Sequence, residues 1–519
     1  MRLSTGVAIC CVLFLAAAVA QDPAPKDSSL VTKSALDRIS ADSLKGHLSF
    51  LASDLLEGRD TPSKGLDIAA EYIAAQFRRA GLEPIGDDGY FQTATWKVAE
   101  PDPSSFQFEI KIAGETIRIA REHVTLVAEG PIDIANVTLA KVDFPAFAEG
   151  KTPVEAVQGR ALVLIPPDGK DEVNPRTVQT RVRGLKPALT ILIDRNPSSA
   201  RGLVGSRLID PEAGAEAGRV RRGGGGPPTI TIHDPRAIAH LDQLKGPVEA
   251  FATLKLGAPI ERPVKLRNVA GLLRGSDPVL KDTYILVTAH YDHVGIGAPV
   301  KGDAIYNGAN DDGSGTVSVV EIASALSALP EKPKRSIIFM TVWGEEHGLL
   351  GSRYYGKHPL VPIEKTIADV NLEQVGRTDS SDGPQIAAAS MTGYDFSDVG
   401  EIFHKAGEAE GVNVFKHPRN SDGYFGASDN QALADLGVPA HTLCVAYQYP
   451  DYHGAGDHWD KVDYVNMAKI DRVVARALLN IADSAEVPKW NANNPKAKRY
   501  LKAYEDRHAK PADPEPKQP

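Results

Sequence analysis

The chain has 519 residues, of which 42% are hydrophobic and 24% are charged, and its formal net charge is −9. A chain of this length can bury a full hydrophobic core and is expected to form two domains. The acidic balance argues against nucleic acids and anionic membrane surfaces as partners. These properties favour a soluble enzyme.

The amino-terminal residues 1–20 contain one early arginine, an apolar run and the tripeptide AVA immediately before Gln21. This pattern predicts a secretory signal peptide that is cleaved after Ala20. The apolar run is too short and too weakly flanked to predict a transmembrane anchor. We therefore expect an exported protein.

The number of cysteines indicates the compartment to which the protein is exported. Cys10 and Cys11 lie in the signal peptide, so Cys444 is the only cysteine left in the mature chain. An exported protein of this size without a disulfide fits the periplasm or the medium of a bacterium better than a eukaryotic secretory route. The expected location is therefore secreted or periplasmic.

Composition and patterning divide the remaining chain. Helical patterns dominate the beginning of a main domain that we predict to comprise residues 30–100 and 260–485. Between them, residues 101–259 alternate short apolar and polar runs separated by Pro and Gly, which predicts a mainly β inserted domain. Residues 486–519 are rich in Lys, Asp and Pro and are expected to form a polar tail with one short helix.

The centre of the chain combines two apolar strand patterns with a dense set of acidic and imidazole side chains. The run TYILVTA reads as a buried strand with His290 at its carboxyl end, and SIIFMTVW reads as a second strand followed at once by Glu345 and Glu346. The helical pattern GSGTVSVVEIASALSAL places Asp311 just before the amino end of a helix.

Two later strand patterns extend this set. The run IADVNLEQVG reads as a strand that contains Glu373, and PAHTLCVA reads as a strand followed by a loop that offers His453 and Asp457. In open α/β sheets, sites form outside the carboxyl ends of the strands. We therefore expect these side chains to meet at one edge of a sheet.

The chemistry of the set favours a metal centre. The candidate ligands are two imidazoles and three carboxylates without a thiolate, which suits zinc: His290, Asp311, Glu346, Glu373 and His453. If Asp311 bridges two ions, each ion receives one imidazole, one private carboxylate and a share of Asp311. Taken singly, each residue has a simpler explanation, for example Asp311 and Asp312 as helix caps. Five such explanations would be needed together.

The motifs AHYDH, GANDDGSG, WGEEHGLLGS, NLEQVGR and YHxxxD occur in that order between about residues 265 and 480. They resemble the motifs of the zinc aminopeptidases of peptidase family M28. The resemblance implies an α/β fold of the phosphorylase/hydrolase-like type, a three-layer sandwich around a mixed, mostly parallel central sheet. It also implies two zinc ions per chain.

The resemblance assigns roles to individual residues. His290 and Glu373 would hold one zinc, Glu346 and His453 would hold the other, and Asp311 would bridge them. Glu345 matches the general base of the family.

Two further roles complete the expected site. In a metal site, Asp292 would orient the imidazole of His290, two residues before it. Tyr452 resembles a family position that can stabilise the developing oxyanion. Glu373 and Asn430 depart from the family, which usually has Asp and His at these positions. The longer Glu373 side chain puts the occupancy or identity of its metal in question. The inserted segment loosely resembles a protease-associated domain.

These observations predict a secreted aminopeptidase with two zinc ions that acts on peptides with a free amino terminus. The alternatives are a glutaminyl cyclase-like transferase with one zinc and a carboxypeptidase or dipeptidase of the same family. A binding protein that has lost its metals is a third alternative, against which the complete ligand set argues. The preferred first residue of the substrate, the role of the inserted domain and the oligomeric state stay open.

Overall fold

The computed structural model describes residues 33–128, 130–165, 175–213, 226–244 and 249–509. The predicted signal peptide and residues 510–519 of the predicted tail lie outside the described residues. None of the described helices combines the length and the apolar character needed to span a bilayer.

The strands and helices of the described residues are as follows. The strands are β1 Glu83–Pro84, β2 Phe91–Glu100, β3 Gln107–Ile112, β4 Glu115–Arg118, β5 Val124–Val127, β6 Ile132–Lys141, β7 Ala161–Leu164, β8 Leu189–Ile193, β9 Gly202–Val204, β10 Arg207–Ile209, β11 Thr229–Ile232, β12 Ala250–Leu256, β13 Ile260–Leu273, β14 Tyr284–His290, β15 Ile296–Val300, β16 Asp303–Ile305, β17 Ser336–Val342, β18 Thr366–Glu373, β19 Ala388–Met391, β20 Asn413–Phe415 and β21 Ala440–Cys444. The α-helices are α1 Ala41–Leu51, α2 Lys64–Ala80, α3 Phe144–Ala148, α4 Pro175–Leu185, α5 Pro235–Gln243, α6 Gly315–Ser327, α7 Leu350–Lys357, α8 Val399–Glu410, α9 Asn420–Gly423, α10 Asn430–Ala434, α11 Tyr464–Asp483 and α12 Lys498–His508.

The main sheet is mixed. Its strands follow the order β10-β2-β13-β17-β14-β18-β21-β19-β20, and β1 pairs with β13. The four central strands β17, β14, β18 and β21 are parallel, whereas β13 and β19 flank them antiparallel. The carboxyl ends of the parallel strands therefore meet at one edge of the sheet.

Helices cover both faces of this sheet. Along β17, Ile337 and Phe339 pack with helices α1, α2, α6, α8 and α11. The alternate residues Ile338, Met340 and Val342 pack with α7, α10 and α12 on the other face. This alternation of apolar side chains explains why the central strands read as continuous apolar runs. The three-layer α/β fold expected from the sequence is confirmed.

A second sheet forms from residues between 107 and 256. Its strands follow the order β4-β3-β12-β6-β7-β8-β11-β5-β9, and it has a hydrophobic core of its own that includes Val124, Ile191 and Leu254. Strand β10 of the same segment pairs with β2 instead. The inserted segment thus also extends the edge of the main sheet.

The segment after residue 485 differs from the polar tail expected there. Trp490 and Tyr500 are buried, and their rings stack at a centroid distance of 5.1 Å. The Trp490 Nε1 donates a hydrogen bond to the carbonyl oxygen of Gly437 at 2.9 Å. Two aromatic side chains among charged neighbours are sufficient to dock this segment, up to residue 509, on the face formed by α7 and α10.

Candidate metal centre

Two neighbouring strands end at residues of the predicted site. His290 is the last residue of β14, and Glu373 is the last residue of the adjacent parallel strand β18. The His290 Nε2 atom lies 3.4 Å from Asp311 Oδ1. Ligand atoms of His290, Asp311 and Glu373 all lie within 4.8 Å of one another. The sheet topology therefore brings together three of the five predicted ligands.

The other two predicted ligands lie on the opposite side of Asp311. The His453 Nε2 atom lies 3.0 Å from Asp311 Oδ2 and 3.2 Å from Glu346 Oε1. Glu346 follows β17, whereas His453 belongs to a loop and has a φ of 51°, which is uncommon for a residue other than glycine. The other four predicted ligands thus lie around the carboxylate of Asp311.

Asp457 holds the loop that carries Asp311. The backbone N–H groups of Asn310 and Asp311 donate to the Asp457 carboxylate at distances of 3.0 to 3.1 Å, and the Ala309 N–H donates to its backbone carbonyl at 3.1 Å. The Tyr449 hydroxyl donates a further hydrogen bond to Asp457 Oδ2 at 3.0 Å. Asp457 therefore fixes the backbone of the loop that carries Asp311.

Arg59 is a buried cation behind the same loop. Its guanidinium donates hydrogen bonds to the backbone carbonyls of Leu51, Tyr291, Asn307 and Gly308, at distances of 2.5 to 2.9 Å. Burial lowers the pKa of Arg59 to about 10, although the surrounding carboxylates raise it. Arg59 thus stays charged at neutral pH, joins the amino-terminal segment to the site, and partly balances its negative charge.

Asp292 contacts both His290 and the segment of the predicted base. The His290 Nδ1 atom lies 3.2 Å from the Asp292 backbone carbonyl oxygen and 3.6 Å from its carboxylate. The carboxylate also accepts hydrogen bonds from the Glu345 N–H at 3.1 Å and from the Thr61 hydroxyl at 3.2 Å. Asp292 therefore sets the orientation of His290 mainly through its carbonyl group and holds Glu345 through its carboxylate.

Burial and neighbouring charges shift the pKa values of the five candidate ligands away from their ordinary values. Burial alone would lower the pKa of His290, but the carboxylates of Glu345, Asp292 and Asp311 raise it well above its usual value. Burial raises the pKa of Glu373 to about 7. Burial would also raise the pKa of Asp311, but the neighbouring imidazoles hold it well below its usual range.

On the other side of Asp311, the Glu346 carboxylate lies beside the imidazoles of His293 and His453. Burial and the Asp311 carboxylate would raise the pKa of Glu346, but the imidazoles of His293 and His453 hold it at about 2. Burial would lower the pKa of His453, but Asp311 and Glu346 raise it to about 10. Without a metal, protonated imidazoles therefore provide the compensating positive charge.

Several ligand atoms have no hydrogen-bond partner among the described residues. These atoms are His290 Nε2, Asp311 Oδ2 and Glu346 Oε1, and each is buried. Leaving such atoms without a partner is costly unless something else binds them. Because all three point into the cluster of Asp311, the donor set fits divalent metal ions with a preference for nitrogen and oxygen ligands.

Glu345 and Tyr452 border the cluster without joining either group of ligands. The Glu345 Oε2 atom lies 3.9 Å from His290 Nε2, and burial raises the pKa of Glu345 well above its usual value. The Tyr452 ring stacks on His453 at a centroid distance of 4.1 Å. Burial, together with the carboxylates of the site, raises the pKa of Tyr452, so its hydroxyl stays protonated.

Sequence reasoning missed two residues of this region. His293 forms a second group of possible ligands with Asp311 and Glu346, again with ligand atoms within 4.8 Å of one another. Its signal was the spacing of two residues between the histidines of AHYDH. Arg59 lies far along the chain from the other site residues, in a segment that reads as a loop. No sequence pattern indicates that its side chain is buried.

The sequence comparison matches the second half of the chain to a peptidase family. The sequence model of peptidase family M28 matches residues 268–478. The mouse protein aminopeptidase NAALADL1 (Mus musculus) is 26% identical over 255 residues, which cover 43% of this chain and 32% of that protein. The chain thus spans about a third of the length of this curated relative.

The structural comparison finds the same fold in solved proteins. A zinc aminopeptidase from Bacillus subtilis matches with a TM-score of 0.54 and 18% identity, covering 86% of this chain and 97% of that protein. A peptidase M28 precursor from Shewanella amazonensis matches with a TM-score of 0.51 and 19% identity, covering 90% of this chain and 100% of that protein. At this identity the likeness establishes the fold.

Proposed function

Because the sequence model of peptidase family M28 matches residues 268–478 of this chain, we propose that it is a zinc aminopeptidase that uses two metal ions to remove amino-terminal residues from peptides. The observation that carries the proposal is the convergence of unpartnered, buried nitrogen and oxygen atoms around Asp311. His290 and Glu373 would hold one zinc ion with Asp311. Glu346 and His453 would hold the other, again with Asp311.

Bound zinc would supply a water molecule that is acidic enough to attack near neutral pH, and would polarise the scissile carbonyl. The residues of the chain supply the proton transfers. Glu345 borders the ligands, and the hydrogen bond from its N–H to Asp292 fixes its backbone. Its raised pKa suits a carboxylate that takes a proton from water and then delivers it to the leaving amine.

Tyr452 is the proposed donor to the oxyanion. Its ring is fixed against His453, and its raised pKa keeps the phenol protonated. A neutral donor is required because the oxygen of the substrate carbonyl gains negative charge as the water attacks.

Buried carboxyl groups beside the proposed ligands support action at a free amino terminus. Asp429 is buried, its Oδ1 accepts a hydrogen bond from Ser352 at 2.5 Å, and its Oδ2 has no hydrogen-bond partner among the described residues. Burial raises the pKa of Asp429 to about 6. The carboxylates of Glu373 and Glu345 lie close enough to influence one another's ionisation. A substrate ammonium group would be attracted to such a region.

Export and the inserted domain belong to the same proposal. Residues 1–20 have the features of a signal peptide, so we propose a secreted or periplasmic enzyme. The second sheet, with its separate core, supports the proposal that residues 101–259 form a protease-associated-like inserted domain.

Metal content and hydrolysis of aminoacyl-nitroanilides, measured on one sample, test the function. We expect up to two zinc ions per chain, cleavage of substrates with a free α-amino group, and no cleavage of their N-acetylated counterparts. Exhaustive chelation should abolish cleavage, and added zinc should restore it. Full activity after chelation, or equal cleavage of acetylated substrates, would contradict the proposal. One zinc ion together with cyclisation of amino-terminal glutamine would instead favour the transferase.

A further inference from the structure

His293 is a buried histidine without a hydrogen-bond partner for its side chain. It is fully buried, and neither of its ring nitrogens has a partner among the described residues. Its Nδ1 lies 2.9 Å from Glu346 Oε1 and 4.0 Å from Asp311 Oδ2. Despite this short distance, the His293 Nδ1 atom forms no hydrogen bond to Glu346. A buried ring nitrogen without a hydrogen-bond partner is a candidate metal ligand.

The backbone holds this ring in place. The His293 N–H donates a hydrogen bond to the carbonyl of Arg59 at 3.2 Å. A Cβ atom at Gly308 would lie 2.4 Å from His293 Cγ, so the ring packs directly against a backbone that only glycine permits there. The φ of Gly308 is 59°, which also favours glycine. His293 is therefore positioned as firmly as a metal ligand requires.

Two imidazoles approach the same pair of carboxylates. His453 lies against Glu346 and Asp311 from the exposed side, and 39% of its side chain is accessible. His293 approaches from the buried side, and the two rings meet edge to face at a centroid distance of 5.5 Å. The part of the site around Glu346 therefore holds one more possible nitrogen ligand than the part around Glu373.

We propose that His293 is a ligand of the metal ion held by Glu346, Asp311 and His453. This inference rests on the proposed two-metal function. It makes the half-site of Glu346 a closed site with four protein ligands, whereas the half-site of Glu373 has three. A closed set of four ligands is typical of tightly held zinc, and a set of three leaves a position open for water or substrate. The Glu346 half-site therefore fills first and binds its metal more tightly.

The test uses the full chain, freed of metal and titrated with Zn²⁺ and Co²⁺ in competition with a chelator. His293→Asn should weaken the tighter of two sites by at least about 100-fold, more than the loss of a group that only orients a ligand, and should change the Co²⁺ absorption spectrum. Asparagine keeps an amide near the place of Nδ1, so a residue that merely donated to Glu346 would be replaced with little loss. Thermal unfolding of the metal-free variant checks that the fold is intact.

His347→Asn is the matched control. His347 follows Glu346 in sequence, but its Nε2 faces Asp60 Oδ1 at 2.9 Å. We expect this control to keep both affinities and the Co²⁺ spectrum. An unchanged tight site and spectrum in His293→Asn would overturn the inference and leave the proposed function standing. A wild-type chain that binds no divalent metal would overturn both.

X-ray absorption spectroscopy of the wild type avoids any risk of misfolding. The chain loaded with one equivalent of zinc should show two imidazole ligands on that zinc. A single imidazole would overturn the inference, even where the two-metal stoichiometry holds. If the wild type binds only one zinc ion and loses it in His293→Asn but not in Glu373→Ala, His293 is a ligand and the two-metal part of the proposed function fails.

Discussion

The molecule contains two buried groups of acidic side chains, and the negative charge of the two groups is compensated in different ways. One is the cluster around Asp311 at the carboxyl edge of the sheet. The other lies between helices α1, α6 and α11, where Glu321 and Asp471 are buried beside His47. In both groups some carboxylate oxygens have no hydrogen-bond partner among the described residues.

The helix-layer group is compensated by protons and hydroxyl groups. Glu321 accepts a hydrogen bond from the Ser43 hydroxyl at 2.8 Å, and the His47 Nε2 lies 3.7 Å from its carboxylate. Burial lowers the pKa of His47 to about 4, so this histidine is neutral at neutral pH. Burial raises the pKa of Asp471 to about 8, and the nearby Ser318 hydroxyl lowers it only in part.

The two groups of acidic side chains differ in the position of their histidine side chains. At the edge of the sheet, histidine nitrogens and carboxylate oxygens converge within 4.8 Å, and among the described residues only groups that share Asp311 do so. In the helix layer one histidine contacts one carboxylate at longer range. Buried acidity alone therefore does not indicate a metal site, and the convergence of imidazoles on a shared carboxylate does.

The largest expected effect tests the shared carboxylate. Asp311→Asn should remove both metals and reduce peptide hydrolysis to background, because each half-site depends on this side chain. Metal analysis and nitroanilide hydrolysis measure the two effects. Asp312→Asn is the matched control, since burial raises the pKa of Asp312 well above its usual value and its carboxyl already accepts the N–H of Gly315. An Asp311→Asn protein with two metals would remove the distinction between the two clusters.

The next effect separates chemistry from metal binding. Glu345→Gln should lower kcat by about 10²- to 10⁴-fold while both metals stay bound, because Glu345 lies at the edge of the ligand groups and acts on protons. Steady-state kinetics and metal content on the same preparation provide the measurement. Loss of metal in this variant would place Glu345 among the ligands instead.

Removal of the proposed oxyanion donor should have a smaller effect. Tyr452→Phe keeps the ring that stacks on His453 and removes only the hydroxyl, so kcat should fall by roughly 10²-fold with little change in metal affinity. Measurement of kcat and KM for one nitroanilide substrate tests this expected fall in kcat. An unchanged kcat would leave Tyr452 with a packing role alone.

The smallest effect on turnover is expected in the helix layer, where a substitution changes stability instead. The pKa of Asp471 is about 8 in the folded chain and near 4 when unfolded, so its contribution is fully present below about pH 4 and is lost as the pH rises to about 8. Asp471→Asn should reduce this loss, whose upper bound is roughly 6 kcal/mol for a shift of about four pKa units. Denaturant midpoints at the two ends of this range measure it.

Exposed Asp460 supplies the control for that measurement. Asp460→Asn should keep the pH dependence of the wild-type protein. If Asp471→Asn follows the wild-type curve as well, then protonation is not how the helix layer tolerates its acids.

The site residues that local strand and helix patterns predicted lie at the ends of regular elements, whereas His453 lies in a loop and its role as a ligand rests on the resemblance. His290 and Glu373 end strands whose apolar runs are unmistakable, and the topology of parallel strands then places both at one edge. The helix after Asp311 follows from its apolar periodicity in the same way. Local patterns were sufficient for these residues because a strand or helix fixes the direction of its end.

The remaining parts depend on contacts between distant segments. His453 lies on a loop whose neighbour Asp451 is held by Arg377 at 3.0 Å, a contact across 74 residues. His293 follows the end of its strand, where alternation no longer tells which way a side chain points. The buried Trp490 donates a hydrogen bond to the Gly437 carbonyl oxygen, a contact that no local sequence pattern predicts.

The hydrogen bonds of Arg59 tie an amino-terminal segment to a centre whose proposed ligands all come from the second half of the chain. A proteolytic fragment limited to residues 268–478 would contain every proposed ligand and the base. It would nevertheless lack the guanidinium that tethers the carbonyls of Asn307 and Gly308. Such a fragment should be inert, and the minimal active enzyme must begin upstream of Arg59.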